Sequence, residues 1–361
     1  MSSNSPVLEA RAENSSAADI QKNFRKINSI DILRLICAIM VVAIHTQPLS
    51  EYENLAGYIA TFVFPRLGVP FFFAVSGYFY ISGLIQGKKV FVKYIKRLLT
   101  IYILWSLIYY SVDFIQVIRS NGSFTGFLKS CFFDFLITGS QYQLWFFPVL
   151  IFCVILVTVL RRHLVSLSIL SFLLYGGGCL VGAYYYKLGS KIPLINNLYH
   201  SQQLETVRRY LLMGLPFFML GYILIHAYRK LGNVKNKTLL LSTGIISVLF
   251  FMEIFIGKAF GLQANIITTI FLYPLLLLVL TLCLRYPLPQ FEKAARFCKT
   301  SANFMYYSHP LFIFVMTEAL SKQFSISLGN TSEFLLICVS TVISSYIIFK
   351  INNKYLNKLV Q

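Results

Sequence analysis

Arg34 and His45 lie eleven residues apart in the stretch INSIDILRLICAIMVVAIHTQP, Ile27 to Pro48. At about 100° per residue that spacing is close to three whole helical turns, so the two side chains share one face, roughly 16 Å apart along the axis. Asp31, one turn before Arg34, lies on the same face. The segment is apolar enough to cross a membrane, where an ionisable group needs a partner, a water-filled cavity or a function. Two readings are open. In one, Asp31 pairs with Arg34 at the interface and His45 sits near the opposite headgroups. In the other, the face lines a channel in which Arg34 holds an anion and His45 acts as a general base. Glu253 also lies inside an apolar run. It is expected either to orient His45 or bind an acceptor, or to pair with Arg208 or Arg209.

The elements that position these groups follow from composition. The chain of 361 residues is 57% hydrophobic and 12% charged, which excludes an ordinary soluble globular protein. Runs long and apolar enough to cross a bilayer as helix fall near 28–47, 67–84, 96–118, 144–160, 166–184, 208–227, 238–256, 263–284, 302–320 and 333–350, about ten in all. The piece FTGFLKSCFFDFLIT, 124–138, is shorter and more polar, and reads as interfacial or re-entrant. Lys+Arg outnumber Asp+Glu by 32 to 13, but the basic residues sit in alternate short loops. That is the mark of topology, not of nucleic-acid binding. Both termini are therefore expected to be cytoplasmic, with the loops around 48–66, 119–143, 185–207 and 321–332 facing outward.

Residues 1–27 form a polar, Ser/Ala-rich tail without the layout of a cleaved signal peptide, so the first apolar run is expected to be retained as a span. The seven cysteines include no CxxC pair and read as small buried hydrophobes. No internal repeat, P-loop, GxGxxG or metal-ligand spacing occurs, and no metal is expected. The fold class is all-α: one polytopic membrane helical bundle over 28–361.

Several stretches share a pattern. DILRLICAIMVVAIH resembles the Arg-x10-His signature of the acyltransferase-3 family, integral membrane enzymes that acylate an acceptor from cytosolic acyl-CoA. RLGVPFFFAVSGYFY, from Arg66, is similar to the family's second span. QLWFFPVLI, from Gln143, resembles its Leu-Trp-aromatic-x-Pro segment. VRRYLLMGLPFFMLGYIL, from Val207, resembles its Arg-anchored Gly-x-Pro-Phe-Phe span, and YYSHPLFI, from Tyr306, its late Tyr-x-x-His-Pro motif. The pattern looks closest to the membrane half of VanT-type serine/alanine racemases, and the racemase half is expected to be absent. In YIKRLLTIY, Arg97 fits the first arginine of a family Arg-x-x-Arg, while Thr100 stands at the second position. Lys96 offers a point charge there in place of a bidentate fork.

The resemblance implies a membrane acyltransferase of a bacterial plasma membrane, with membrane lipids, acyl-CoA and a cell-envelope acceptor as partners. It implies acetyl-CoA as the usual donor. Arg34, Lys93, Lys96 and Arg97 would take the donor's phosphates at a basic mouth. His45 would receive the proton of an acceptor hydroxyl as it attacks the thioester, without a covalent acyl-enzyme. Arg208 either binds an anionic acceptor or snorkels to the interface. Trp145 either lines the cavity, as a substrate contact, or belongs to the aromatic belt. Tyr306 and His309 are further substrate-binding candidates, though His309, before Pro310, is also expected to mark a helix start. Ser76 and Gly77 read as close-packing small residues. Two rival classes remain: a proton-coupled transporter or flippase, and a module handling a free amino acid. Acceptor identity and oligomeric state are not written in the sequence.

Overall fold

The computed structural model describes residues 27–52, 55–182, 188–199, 204–231, 234–260, 269–317, 328–351, 353 and 356–360. The expected N-terminal tail, Ile27 apart, lies outside them, as do parts of the loops expected at 185–207 and 321–332. Every apolar run is helical over most of its described length. The helices are α1 (Asn28–Thr46), α2 (Leu55–Ile85), α3 (Phe91–Arg119), α4 (Phe124–Phe133), α5 (Phe146–Val159), α6 (Leu164–Val181), α7 (Glu205–Leu231), α8 (Asn236–Ala259), α9 (Leu272–Arg285), α10 (Glu292–Val315) and α11 (Asn330–Ile351).

Seven of these, α1, α2, α3, α6, α7, α8 and α11, are long and apolar enough to cross a membrane. Helices α9 and α10 pass the same test only as a pair, and the pair is bent by 87°. By length and composition the described residues thus supply seven or eight such helices, where the sequence suggests about ten. The difference is physical. Helix α5 has 14 residues, roughly 21 Å of rise against a hydrocarbon core of about 30 Å, and cannot span it alone.

The piece at 124–138 leads into α5. Ser123 caps α4 by accepting a bond from the Gly126 amide at 3.2 Å, and a π-helical turn over Asp134–Thr138 prolongs it. The segment runs back along α3. The Tyr110 hydroxyl donates to Cys131 O and that of Tyr102 to Phe135 O, each at 2.7 Å. The helix then breaks at residues 139–145 and resumes as α5, with Phe147 stacked on Tyr102. The chain therefore descends beside α3 as a broken helix, and its irregular stretch lies inside the bundle. Ser140 and Gln143 are 7% and 2% exposed and Leu144 is fully buried. Irregular backbone at such a depth is tolerated only where protein groups satisfy it.

The break needs Gly139. Its φ of +92° is strained for an L side chain, and a Cβ there would meet the Trp145 backbone.

Buried shares order the remaining helices. In α2 and α7, 61% and 56% of the most apolar stretch is buried, against 17% in α8 and 22% in α11, so the first pair is central and the second largely lipid-facing. Helices α2 and α7 touch backbone to backbone. A Cβ on Gly77 would collide with the Phe218 carbonyl, and one on Gly221 with the Tyr78 amide. Small residues are what allow helices to close this far where lipid leaves little hydrophobic drive between them. Helices α1, α10 and α11 form the second cluster of contacts. The C-terminal turn Leu356–Leu359 tucks between α3 and α10, where Trp105 Nε1 donates to Leu359 O at 3.1 Å and Asn303 Nδ2 to Val360 O at 2.9 Å.

Gly77→Ala should force α2 and α7 apart, destabilising the fold by about 1–3 kcal/mol. Thermal unfolding of the purified chain in detergent checks this. Gly176→Ala, where a Cβ meets nothing within 4 Å, should leave the midpoint unchanged or raise it.

Candidate active site

Helix α1 carries the polar stripe that its spacing predicts. Arg34 Nη1 is 2.9 Å from Asp31 Oδ1, with the two side chains 15% and 22% exposed, so the pair is formed and largely enclosed. The guanidinium also lies 5.8 Å from the centre of the Phe79 ring. One carboxylate does not balance the local charge. Arg97 of α3 and Lys299 of α10 both lie within electrostatic reach of Arg34, as do the Tyr94 and Tyr307 hydroxyls. Three cations against one anion is an arrangement suited to a phosphate-bearing ligand. Lys93, Lys96 and Arg97 are all exposed on α3, and Lys299, which the sequence shows only as part of a basic loop, stands within reach of Arg34 and Arg97. Thr100, at the position of the second family arginine, spends its hydroxyl on the Lys96 carbonyl at 2.8 Å.

At the other end of the stripe His45 occupies the last turn of α1, before Gln47 closes the helix in the left-handed conformation. Its ring centroid is 4.5 Å from that of Tyr142 and 5.3 Å from that of His309, with the imidazole planes 24° apart. His45 keeps an exposed side, whereas His309 is fully buried. His309 does not mark a helix start: it lies in the body of α10, which continues through Pro310 to Val315. Its Nδ1 is 3.0 Å from Met305 O. A carbonyl only accepts, so Nδ1 carries the hydrogen and Nε2 holds a lone pair. That Nε2 is enclosed and has no hydrogen-bond partner.

The broken helix brings Gln143 to the same place. Gln143 Nε2 donates to Tyr307 O at 3.1 Å, which Tyr109 Oη also reaches at 2.6 Å, and the Tyr306 hydroxyl donates to Gln143 O at 3.0 Å. The amide is thereby oriented, because only its nitrogen can face a carbonyl, and its Oε1 is left buried without a partner. Ser308 Oγ is in the same condition. Each such group costs about 1–3 kcal/mol. The bare His309 Nε2 and the bare Gln143 Oε1, one residue from Tyr142, mark a place suited to a hydrogen-bonding molecule beside the accessible His45 imidazole.

The other predicted residues lie elsewhere or do other work. Tyr306 is near His309, ring centroids 6.5 Å apart, but its hydroxyl is committed to holding Gln143. Trp145 is 9% exposed, and the Arg209 guanidinium lies 5.2 Å over its ring. Arg208 and Arg209 both pair with Glu205, at 2.5 and 2.7 Å, and neither pairs with Glu253. Glu253 accepts bonds from the Ile270 and Phe271 amides at 2.7 and 3.0 Å, so it caps the start of α9. It also lies within electrostatic reach of the buried Arg66. The rings against His45 are those of Tyr142 and His309, whereas the Glu253 carboxylate serves the start of α9.

A multi-pass helical membrane protein with a cationic centre at one end of an internal polar face and paired imidazoles at the other is the class defined so far. An acyltransferase domain model matches residues 27–350, and the chain belongs to the acyltransferase-3 family. Among curated relatives, an amino-acid racemase of Enterococcus faecalis is 29% identical over 340 residues, covering 91% of this chain and 46% of the relative. A serine/alanine racemase of Enterococcus gallinarum is 26% identical over 330 residues, covering 88% and 45%. The chain thus spans less than half the length of either, and the racemase-like pattern read from the sequence is matched. No solved structure matches it.

Because Glu253 caps backbone, Glu253→Ala should lower the thermal midpoint of the purified chain, by an amount equivalent to about 1–3 kcal/mol. Glu253→Gln, which keeps one acceptor oxygen, should lose less.

Proposed function

We propose that the chain moves an acyl group, acetyl in the first instance, from cytosolic acyl-CoA to a hydroxyl of a cell-envelope acceptor such as a glycan or lipid-linked sugar. The observation that carries this reading is the division of one internal face into two centres. Arg34, Arg97 and Lys299 gather at one level and His45 and His309 at another, roughly 16 Å away by the rise of α1. With both termini cytoplasmic, as the basic loops favour, the cationic centre faces the cytosol. The cations would hold the donor's phosphates there, and the thioester would reach the imidazoles without the nucleotide crossing.

His45, with its exposed side, is placed to take the proton of the acceptor hydroxyl as the oxygen attacks the thioester carbon. As the carbon–sulfur bond breaks, His45 returns that proton to the departing thiolate. The products are the ester and free CoA thiol. His309 stacks behind His45 with its bare Nε2 and fixes the ring's position. Tyr142 covers the pair from the side of the break.

A second reading draws on the printed names of the relatives: a membrane module that handles a free amino acid, with that molecule in the acceptor's place. Both readings are tested by acetyl transfer from labelled acetyl-CoA in membranes carrying the wild-type chain, His45→Ala or Arg34→Ala at matched expression. On the first reading label reaches an envelope fraction with wild type, and His45→Ala lowers the rate by about 10²–10⁴-fold. Arg34→Ala should act mainly by raising KM for the donor. Consumption of acetyl-CoA only when serine or alanine is supplied would favour the second. A wild type that neither binds nor consumes acyl-CoA, while His45→Ala still abolishes a cellular phenotype, would place the stripe in a carrier.

A further inference from the structure

Gln143 is held from two sides and left with one free atom. Its Nε2 is spent on Tyr307 O and its main-chain carbonyl on the Tyr306 hydroxyl, which leaves Oε1 enclosed as a bare acceptor. Such an atom asks for an N–H or O–H. Its level in the fold narrows the choice. Tyr307, to whose carbonyl Gln143 is tied, precedes His309 by two residues of α10, so Gln143 lies within about one helical turn of the imidazole pair.

The donor's connecting arm carries two secondary amides, and the nitrogen of the amide nearer the thioester is three bonds from sulfur, about 4 Å. The whole arm, about twelve bonds from phosphate to sulfur, extends to roughly 15 Å, close to the rise separating Arg34 from His45. With phosphates at the cations and the thioester at His45, that amide N–H falls within the same helical turn as Gln143.

We propose that Gln143 Oε1 accepts a hydrogen bond from the thioester-proximal amide N–H of the donor's arm, making Gln143 the residue that sets how far the arm advances toward His45. This rests on the acyl-CoA reading above. It adds a residue and an interaction which that reading does not require. The site would then distinguish an amide-bearing arm from any thioester of equal length without the N–H, because a buried acceptor matched by one donor and left unmatched by another discriminates between them.

The experiment compares two donors on the purified full-length chain in nanodiscs: acetyl-CoA, and an analogue in which the thioester-proximal amide N–H is replaced by an ester oxygen. Gln143→Met runs beside wild type. Wild type should use the ester analogue with kcat/KM about tenfold lower. Gln143→Met should show no preference between the two donors, the loss of coupling expected when one partner of the bond is already absent; its loss of the Nε2 bond to Tyr307 O acts on both donors alike. Equal use of the two donors by wild type, or full retention of the preference by Gln143→Met, would overturn the assignment. Should Gln143→Met fail to fold, the wild-type comparison decides alone. If wild type uses neither donor, the acyl-CoA reading falls and the assignment with it, an outcome distinct from equal use of both.

Discussion

A break in a helix deep inside a membrane bundle exposes backbone groups that no water is there to satisfy, and the protein is organised around meeting that demand. The break at residues 139–145 is answered chiefly by tyrosine hydroxyls. Tyr102 serves Phe135 O and the Ser140 amide, Tyr210 serves Ile137 O, and Tyr306 serves Gln143 O, while Arg209 reaches Thr138 O. A phenol suits the task, since its ring packs as an apolar body while its hydroxyl reaches the one polar atom in range. These tyrosines come from α3, α7 and α10, so the same bonds that satisfy the break tie three helices around it.

The polar centre grows out of this arrangement. Once the break is anchored, Tyr142 and Gln143 have fixed positions beside α10, and α1 packs against α10 along its length. His45 then meets the rings of His309 and Tyr142. Pro310 takes part: it has no N–H for the Tyr306 carbonyl, and this turn of α10 is the one at which Tyr109 and Gln143 converge on Tyr307 O. Electrostatics is left to the opposite end, where Arg34, Arg97 and Lys299 stand around a single carboxylate.

Much of this was legible in the sequence because helices impose their period. The Arg34–His45 spacing gave one face and one length, and the Asp31–Arg34 pair follows from one turn. What was not legible is what depends on other segments. Pro310 reads as a start because proline favours the first helical turn, yet α10 runs through it. Glu253 reads as a functional acid because its partners are backbone amides 17 and 18 residues away, on which sequence is silent. The piece at 124–138 was recognisable as too short to span. That α5 is its continuation, with the site in the gap, depends on hydroxyls of α3 that no periodicity announces. Lys299 follows the same rule, since its charge was visible and its neighbours were not.

The backbone contact between α2 and α7 has a mechanical consequence. Where Gly77 and Gly221 let two helices meet without intervening side chains, sliding or rolling of one past the other would drive flanking side chains into main chain. The two therefore behave as one stiff spar. Any rearrangement that admits a molecule to the interior must be borne by the helices around that spar.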